Sequence, residues 1–227
     1  MKMKEKTKSQ IDKINKQKEK HDKEMLRLEN MYKYEREAFR QGLRFIGGID
    51  EAGRGPLAGP VVAACVILPE NCLIEGVNDS KRLSASKRER LYEIIMEKAI
   101  SVGIGIVGEK VIDDVNILNA AKIAMRKAAE QVAPSPELLL IDAVELTDIN
   151  IPQKSIIKGD ALSVSIAAAS IIAKVTRDRL IDKEDTKYPA YGFKNHKGYG
   201  TAQHIAAIKK YGICPIHRIS FIKNFTV

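Results

Sequence analysis

Several acidic side chains of this chain stand beside apolar segments. Asp50 and Glu51 come directly after one apolar run, Asp142 ends another, and Asp160 stands just before a long predicted helix. A buried carboxylate is costly unless a proton or a cation compensates it, and strand ends in an α/β sheet converge on one crevice. Carboxylate oxygens suit hard divalent cations, so these four residues are candidate ligands of Mg²⁺ or Mn²⁺.

A structural interpretation of the same residues stays open at this point. A single aspartate after a strand or before a helix commonly begins a turn or caps the helix. The adjacent pair Asp50 and Glu51 is harder to explain in this way, because two neighbouring carboxylates raise each other's proton affinity. Spacing alone does not decide between a metal site and separate capping roles.

A glycine-rich basic loop follows the acidic pair at once. Gly53, Arg54 and Gly55 precede Pro56 and Pro60, which stiffen the loop. The loop matches neither the Walker phosphate-binding pattern nor the dinucleotide-binding fingerprint, and a plain glycine turn is the structural alternative. A rigid exposed backbone with an arginine beside acidic ligands suits a sugar-phosphate chain, and its peptide groups would be able to contact a 2′-hydroxyl.

A second basic segment also contains aromatic residues. It includes Lys194, His196, Lys197 and Tyr199. Cations that hold phosphates beside a ring that stacks on a base or a sugar suit nucleic-acid binding. A further basic group is typical of a solvated helix face: Lys81, Lys87, Arg88 and Arg90. His217 and Arg218 are interpreted equally well as core-packing and salt-bridging residues. The sequence shows no arrangement typical of a serine or cysteine nucleophile.

Composition bounds the class of protein. The chain has 227 residues and a formal charge of +9, of which residues 1–44 supply +6 from 14 Lys/Arg and 8 Asp/Glu. A net positive charge favours polyanionic partners, but by itself it is weak evidence for specific nucleic-acid binding. Three cysteines without CxxC or metal-ligand spacing argue against a disulfide framework and a zinc site. No stretch predicts a membrane span or a signal peptide, so a cytoplasmic protein without membrane attachment is expected.

Hydrophobic periodicity predicts an α/β layered domain behind a helical leader. A helix is predicted over residues 22–41, with a frayed or exposed segment before it and Gly42 as its end. Strands are predicted over 43–49, 61–68, 102–107, 138–141 and 155–157, and helices over 84–99, 115–132, 162–183 and 201–211. The small residues of 167–170 would let the long helix lie close to a sheet.

The segment Gly48–Ala63 reads G-I-D-E-A-G-R-G-P-L-A-G-P-V-V-A and closely resembles the signature of the bacterial ribonuclease HII family, the type 2 ribonucleases H. Further motifs appear in family order: Asn78–Lys81, Leu140–Asp142, Lys158–Asp160, Ala167–Asp178, His196–Thr201 and Pro215–Arg218. The resemblance covers roughly residues 43–221, and so many ordered motifs exclude a chance match.

The resemblance implies an RNase H-like mixed β-sheet flanked by helices. It also implies endonucleolytic cleavage of the RNA strand of RNA–DNA hybrids, including cutting 5′ of single ribonucleotides embedded in duplex DNA. The family's catalytic and metal-binding carboxylates carry over onto Asp50, Glu51, Asp142 and Asp160. Its substrate contacts carry over onto Gly53, Arg54, Gly55, Ser80, Lys81, Lys197 and the sugar-sensing Tyr199. Two Mn²⁺ or Mg²⁺ ions per site are implied, and a monomer is expected.

The resemblance divides the chain into two parts. Residues 1–42 form a basic, helical or partly disordered extension, and residues 43–227 form the catalytic domain, with a C-terminal helical segment from about 188. The extension departs from the family pattern. Its role stays open between a phosphate-contacting arm and a solvated packing helix, and its charge run favours the packing helix.

Two neighbouring interpretations are disfavoured. Asp178 is a rival fourth ligand, but it lies inside a predicted helix between two arginines and is expected to form ion pairs.

The sister ribonuclease HIII family usually has threonine where Arg54 stands and carries a folded N-terminal substrate-binding domain, for which this leader is too polar.

The expected mechanism is two-metal hydrolysis that leaves 5′-phosphate and 3′-hydroxyl ends. Two other functions are alternatives. A non-catalytic hybrid-binding module would need no carboxylate cluster. A DNA nuclease or resolvase of related fold would have no use for a 2′-hydroxyl sensor.

Overall fold

The computed structural model of the chain describes residues 2–223, with side chains from residue 14 onward. The helices are α1 Lys2–Met31, α2 Lys33–Arg40, α3 Ala85–Lys98, α4 Glu109–Val115, α5 Ile117–Gln131, α6 Gly159–Leu162, α7 Val164–Lys187, α8 Phe193–His196, α9 Ala202–Tyr211 and α10 Ile219–Ile222. Short 3-10 turns cover Ser80–Arg82 and Pro189–Tyr191. The strands are β1 Ile46–Ala52, β2 Val61–Ile67, β3 Ser101–Val107, β4 Leu138–Asp142 and β5 Gln153–Ile156. The two ends of the predicted domains, residue 1 and residues 224–227, lie outside the described residues.

The sheet is mixed, in the order β3-β2-β1-β4-β5. The meander β1-β2-β3 is antiparallel, whereas β4 runs parallel to both β1 and β5. Every residue of β2 is buried because helices cover both faces of the sheet. Ala64 and Val66 pack with α7 on one face, while Ala63 and Cys65 pack with α5 on the other. The predicted mixed sheet flanked by helices is confirmed.

Helix α7 lies close against the central strand because both contribute small residues. A Cβ on Gly48 would collide with the main chain of Ser165. Ala167, Ala168 and Ala169 of the same helix are fully buried. The prediction that small residues bring this helix near the sheet is confirmed, and the close approach carries α7 past the end of β1, where Asp50 lies.

The N-terminal helix is longer than predicted. It begins at Lys2 rather than near residue 22, and the chain bends at Tyr32 before α2. The side chains of residues 14–23 are exposed, as expected from their polarity. Lys, Glu and Gln are good helix formers, so residues 14–23 form a helix although their side chains are exposed. The low apolar content predicted exposure correctly but did not predict the backbone conformation.

Beyond residue 25 the extension packs into the fold. Leu28, Met31 and Tyr32 belong to the core that α7 forms with the sheet and α3. Glu35 is 3% exposed, and its Oε1 accepts hydrogen bonds from Ser163 Oγ at 2.6 Å, Ser165 Oγ at 2.6 Å and Ser165 N at 3.0 Å. This carboxylate binds the first turn of α7, where a negative charge is favourable.

The helix predicted over 115–132 is confirmed as α5, and the structure adds a short unpredicted helix, α4, before it. Asn116 separates the two helices. Asn116 has φ +69°, and its Oδ1 accepts hydrogen bonds from Leu118 N at 3.0 Å and Asn119 N at 3.1 Å. The side chain caps a new helix, and the backbone of Asn116 leaves the helical region.

Within residues 2–223, the helices are all too short or too polar to cross a membrane.

Candidate metal centre and substrate-recognition loops

Two neighbouring strands bring acidic residues to one edge of the sheet. β1 and β4 are parallel, with Ile49 paired to Ile141, so Asp50 and Asp142 follow at the same end. Asp160 arrives on α6, whose Gly159 N–H donates to Asp142 Oδ1 at 2.7 Å. One carboxylate oxygen from each of Asp50, Asp142 and Asp160 lies within 4.8 Å of the others. The structure therefore brings three of the four predicted ligands together.

Glu51, the fourth predicted ligand, lies beside this set rather than in it. Successive residues of a strand point to opposite faces, which separates Glu51 from Asp50. Its Oε1 lies 3.4 Å from Arg54 Nη1, while its Oε2 is buried without a protein partner. Burial raises the pKa of Glu51, Arg54 opposes this effect, and the charge of Asp142 adds to it. An unpartnered buried carboxylate oxygen is an available ligand atom.

The carboxylates resist ionisation without a compensating cation. Burial raises the pKa of Asp50 well above its ordinary value, and the charge of Glu51 adds to the shift. Burial also raises the pKa of Asp160, with contributions from Asp79 and Asp142. Crowded buried carboxylates of this kind are relieved by hard divalent cations with a preference for oxygen. The donor set fits Mg²⁺ or Mn²⁺.

Two residues beside the cluster were not recognised from the sequence. Asp79 adds to the raised pKa of Asp160, and the Ser170 hydroxyl partly opposes the raised pKa of Asp50, so each lies close to a carboxylate of the cluster. Both stand in motifs that the resemblance contains, but the resemblance assigns Asp79 no role, and the pattern of residues 167–170 predicts only close packing for Ser170. Their positions in those motifs were the available signal.

Ser80 and Lys81 lie on the same side of the cluster. Ser80 is 4% exposed, and its Oγ lies 2.9 Å from Ser170 Oγ. The Lys81 side chain faces the carboxylates: partial burial opposes its charge, but Asp50 and Asp79 outweigh this effect and raise the pKa of Lys81. Lys81 thus supplies a positive charge at the cluster. Ser80 is buried and contacts the cluster only through Ser170.

The loop Gly53–Pro60 is held by two buried arginines. Arg218 donates to Gly53 O at 2.7 Å, Pro56 O at 2.8 Å and Gly59 O at 2.7 Å. Arg177 donates to Ala58 O and Pro60 O, each at 3.0 Å. Gly53 has φ +99°, and a Cβ there would collide with the Arg177 guanidinium, so glycine is required. The loop backbone is rigid, while Arg54 at its tip is exposed.

Tyr199 lies against this loop. Its side chain is 44% exposed, and a Cβ on Gly55 would stand 3.7 Å from its Cε1. The two segments are joined by a hydrogen bond from Leu57 N to Gly198 O at 2.8 Å. Lys197 is nearby, but its ammonium group is paired with Asp182. The two motifs singled out from the sequence for sugar recognition are therefore adjacent in space.

The structure confirms the predicted roles of Asp178 and His217 but not the salt bridge considered for Arg218. Asp178 pairs with Lys174 Nζ at 2.7 Å and lies 4.0 Å from Arg88, which confirms the ion-pairing prediction. His217 is buried, as a core-packing residue would be. Arg218 is buried too, but its hydrogen bonds go to main-chain carbonyls rather than to a carboxylate.

Comparison with known proteins identifies consistent relatives. The family model described as Ribonuclease HII matches residues 47–224. A ribonuclease HII of Acetivibrio thermocellus is 63% identical over 217 residues, which span 96% of this chain and 85% of the relative. A ribonuclease HII of Ruminiclostridium cellulolyticum is 60% identical, with 95% and 84% covered. The crystal structure of ribonuclease H2 from Pyrococcus horikoshii superposes with a TM-score of 0.67 at 28% identity, over 80% of this chain and 96% of that one.

Proposed function

The chain belongs to the ribonuclease HII family, and we propose that its site cuts duplex DNA 5′ of a single embedded ribonucleotide as well as within longer RNA–DNA hybrids. Family membership makes the protein an endoribonuclease that hydrolyses RNA in hybrids. The proposal extends this activity to a substrate with only one ribose, for which the enzyme must recognise that sugar itself.

The acidic residues are proposed to hold the catalytic metals. Asp50, Glu51, Asp142 and Asp160 would bind two Mg²⁺ or Mn²⁺ ions. Divalent ions held by these carboxylates would supply the Lewis-acid chemistry that activates water and stabilises a leaving 3′-oxygen, and the products would carry 5′-phosphate and 3′-hydroxyl ends. The Ser170 hydroxyl orients Asp50, and the Gly159 amide orients Asp142.

The neighbouring loops are proposed to read the sugar. The peptide groups of Gly53–Gly55 and the ring of Tyr199 would bracket the ribose and detect its 2′-hydroxyl. Arg54 and Lys81 are exposed cations beside the carboxylates and would hold the flanking phosphates. Lys197 would also bind a phosphate if its ammonium group left Asp182. Ser80 would contribute indirectly, through its contact with Ser170.

One observation carries the proposal: the carboxylates and the sugar-recognition loops share one edge of the sheet. Glu51 is separated from Gly53 by a single residue, and Tyr199 packs beside Gly55. A scissile phosphate at the carboxylates therefore places its ribose at the loop.

We propose the domain division predicted from the sequence, with residues 43–227 as the catalytic domain and residues 1–42 as an extension. The family match over 47–224 supports the boundary. The packing of Leu28 and Met31 against α7 supports an extension that is docked rather than free.

The decisive experiment uses a labelled DNA duplex with one ribonucleotide, incubated with Mn²⁺ or Mg²⁺. A single cut 5′ of the ribonucleotide, with a 3′-hydroxyl on the upstream product, is the expected result. An all-DNA duplex of the same sequence is the control. Binding without cleavage would favour a hybrid-binding module, and cleavage of the all-DNA duplex would favour a DNA nuclease.

A further inference from the structure

A cluster of buried histidines lies directly beneath Tyr199, and the proposed function makes no use of it. His196 ends α8, His204 belongs to α9 and His217 follows α9, with 8%, 0% and 3% of their surfaces exposed. His196 and His204 stack with ring centroids 4.5 Å apart, and the His204 and His217 centroids are 5.2 Å apart.

A continuous chain of hydrogen bonds connects Cys214 to the Tyr199 carbonyl. The Cys214 N–H donates to His217 Nδ1 at 2.9 Å. His217 Nε2 lies 3.0 Å from His204 Nε2, and His204 Nδ1 lies 2.9 Å from Tyr199 O. Each ring uses both of its nitrogens in these hydrogen bonds, so the position of the proton on one ring determines its position on the other.

The Tyr199 end of these hydrogen bonds determines the tautomer of both neutral rings. A carbonyl only accepts, so His204 carries its proton on Nδ1 and donates it to Tyr199 O. His204 Nε2 then accepts from His217 Nε2–H. His217 Nδ1 is left without a proton and accepts the Cys214 N–H rather than donating to Cys214 O, which lies 3.2 Å away.

The cluster is built for neutral rings. Burial lowers the pKa of His204 to about 4 and lowers the pKa of His217 as well. The titratable groups that face the pair include His196, Cys214 and Tyr191, whose ring centroid lies 5.1 Å from that of His217. Burial raises the pKa of the Cys214 thiol to about 11 and also raises the pKa of Tyr191. A protonated His204 would direct a second N–H at the Nε2–H of His217 and would break the chain.

The main chain around Tyr199 is held from both sides. Tyr199 N donates to His196 O at 2.9 Å, and Thr201 N donates to Tyr199 O at 2.8 Å. Gly198 N donates to His196 Nδ1 at 3.3 Å, while Gly198 O accepts the bond from Leu57 of the Gly53–Pro60 loop. The segment 198–199 is therefore held by the histidines on one side and by the Gly53–Pro60 loop on the other.

We propose that His204 and His217 are positioning residues for Tyr199. By fixing the main chain of Tyr199, they keep its ring beside Gly55, where it would contact the ribose, and so contribute to ribonucleotide recognition. The inference deepens the proposed function and rests on it. His204 donates to the residue that contacts the sugar, and His217 fixes which nitrogen of His204 carries the proton.

Two substitutions at one position separate this role from simple packing. His204→Phe keeps the ring volume but removes the donor to Tyr199 O. His204→Asn places an amide N–H close to the position of Nδ1 and restores that donor. Both variants remove the acceptor for His217, so their difference reports the bond to Tyr199. Tyr191→Phe is the matched control, because it removes a hydrogen bond to Gly212 O in the same cluster without touching Tyr199.

We expect His204→Phe to lose about tenfold in kcat/KM on the single-ribonucleotide duplex, and His204→Asn to recover most of this loss. Tyr191→Phe should keep the wild-type kcat/KM. The rise in melting temperature caused by Mn²⁺ should be the same in all of them, because the carboxylates are untouched. Wild-type kcat/KM in His204→Phe, or equal losses in the Phe and Asn variants, would overturn the proposal.

Nitrogen NMR of the wild-type protein at pH 7 provides a test that needs no variant and no substrate. The expected spectrum shows His204 protonated on Nδ1 and His217 protonated on Nε2. The opposite tautomers, or charged rings, would overturn the positioning chain even if the variants fail to fold. A wild-type protein that leaves the single-ribonucleotide duplex intact would instead refute the proposed function, and the spectrum would still decide whether His204 binds Tyr199 O.

Discussion

At the scale of single residues, the site combines charges that are unfavourable alone. Asp50 is 4% exposed, and its nearest charged neighbours include Glu51 and Asp142. Uncompensated, such a group takes up a proton or destabilises the fold. Only an ionised carboxylate binds a metal ion well, so cation binding and deprotonation are linked. Mutual repulsion and burial of these carboxylates therefore favour a strongly charged cationic ligand.

Asp50→Asn tests this linkage directly. The amide keeps the shape of the side chain but removes a negative charge, so we expect kcat on a hybrid to fall by about a thousandfold or more, because several kcal/mol of metal-derived stabilisation are lost. Substrate affinity should remain. The rise in melting temperature with added Mn²⁺ should also shrink. Asp178→Asn is the control, since Asp178 only forms ion pairs. Full activity in Asp50→Asn would remove this residue from the site.

Arg54 and Tyr199 should affect substrate choice rather than metal binding. Arg54→Ala and Tyr199→Ala each remove one exposed contact near the proposed ribose, so we expect about a tenfold or larger loss in kcat/KM on the single-ribonucleotide duplex. The Mn²⁺ dependence of the melting temperature should stay at the wild-type value. Arg40→Ala, an exposed arginine on α2, serves as the control. An unchanged substrate profile in both variants would contradict their assignment.

At the scale of secondary-structure elements, α7 connects the parts of the site. Its first turn follows Asp160, its small residues contact the central strand, and Ser170 reaches Asp50. Arg177 of the same helix holds the Gly53–Pro60 loop and also donates to Lys197 O at 3.0 Å. A displacement of this helix would therefore move the carboxylates and the recognition loops together.

Glu35 of the extension is the residue that secures the first turn of α7. Glu35→Ala leaves the buried groups of Ser163 and Ser165 without their acceptor, so we expect a loss of about 1–3 kcal/mol in the free energy of unfolding. Glu37→Ala is the matched control on the same helix, because Glu37 forms only an exposed pair with Lys154 at 3.5 Å and should change stability by less than about 1 kcal/mol. Urea denaturation measures both. Equal effects of the two substitutions would show that the Glu35 contacts contribute no special stability.

At the scale of the whole molecule, two groups of buried polar side chains lie next to the loops beside the carboxylate cluster. Arg177 and Arg218 lie together under the Gly53–Pro60 loop, and burial lowers the pKa of Arg218 to about 9. The histidine cluster lies under Tyr199. Both places satisfy main-chain groups of recognition loops that helices and strands do not satisfy. The molecule therefore uses buried side chains to make loops rigid at the edge of a regular sheet.

This arrangement predicts a loss of stability in mild acid. The native pKa of His204 is lowered to about 4 from an ordinary value near 6.5, so the unfolded chain binds a proton that the native protein does not bind. The stabilising contribution is complete above about pH 6.5 and is lost as the pH falls toward 4. The urea midpoint should drop across this range, and less steeply in His204→Phe. His21→Gln, at an exposed position, should retain the wild-type slope. Identical slopes in all three proteins would contradict the prediction.

The amino-acid sequence was sufficient for the main elements and for most of the candidate site. Continuous apolar runs predicted β1 and β2, and the long apolar segment before Lys183 predicted α7, each to within a few residues. The carboxylate cluster was predictable because Asp50 and Asp142 end apolar strands, and strand ends meet at one edge of a sheet. The family resemblance then supplied the proposed roles of Asp160 and Tyr199, which spacing did not determine.

Only the tertiary structure decided the contacts between segments distant in the chain. Glu35 meets Ser165 across 130 residues, and Arg218 meets Gly53 across 165. No local pattern indicates such a partner, because a buried arginine and an exposed one look alike in sequence. The same holds for His204 and His217, whose protonation depends on which donors and acceptors the fold places around each ring. Local sequence specifies hydrogen-bonding capacity, and the packed fold decides where that capacity is used.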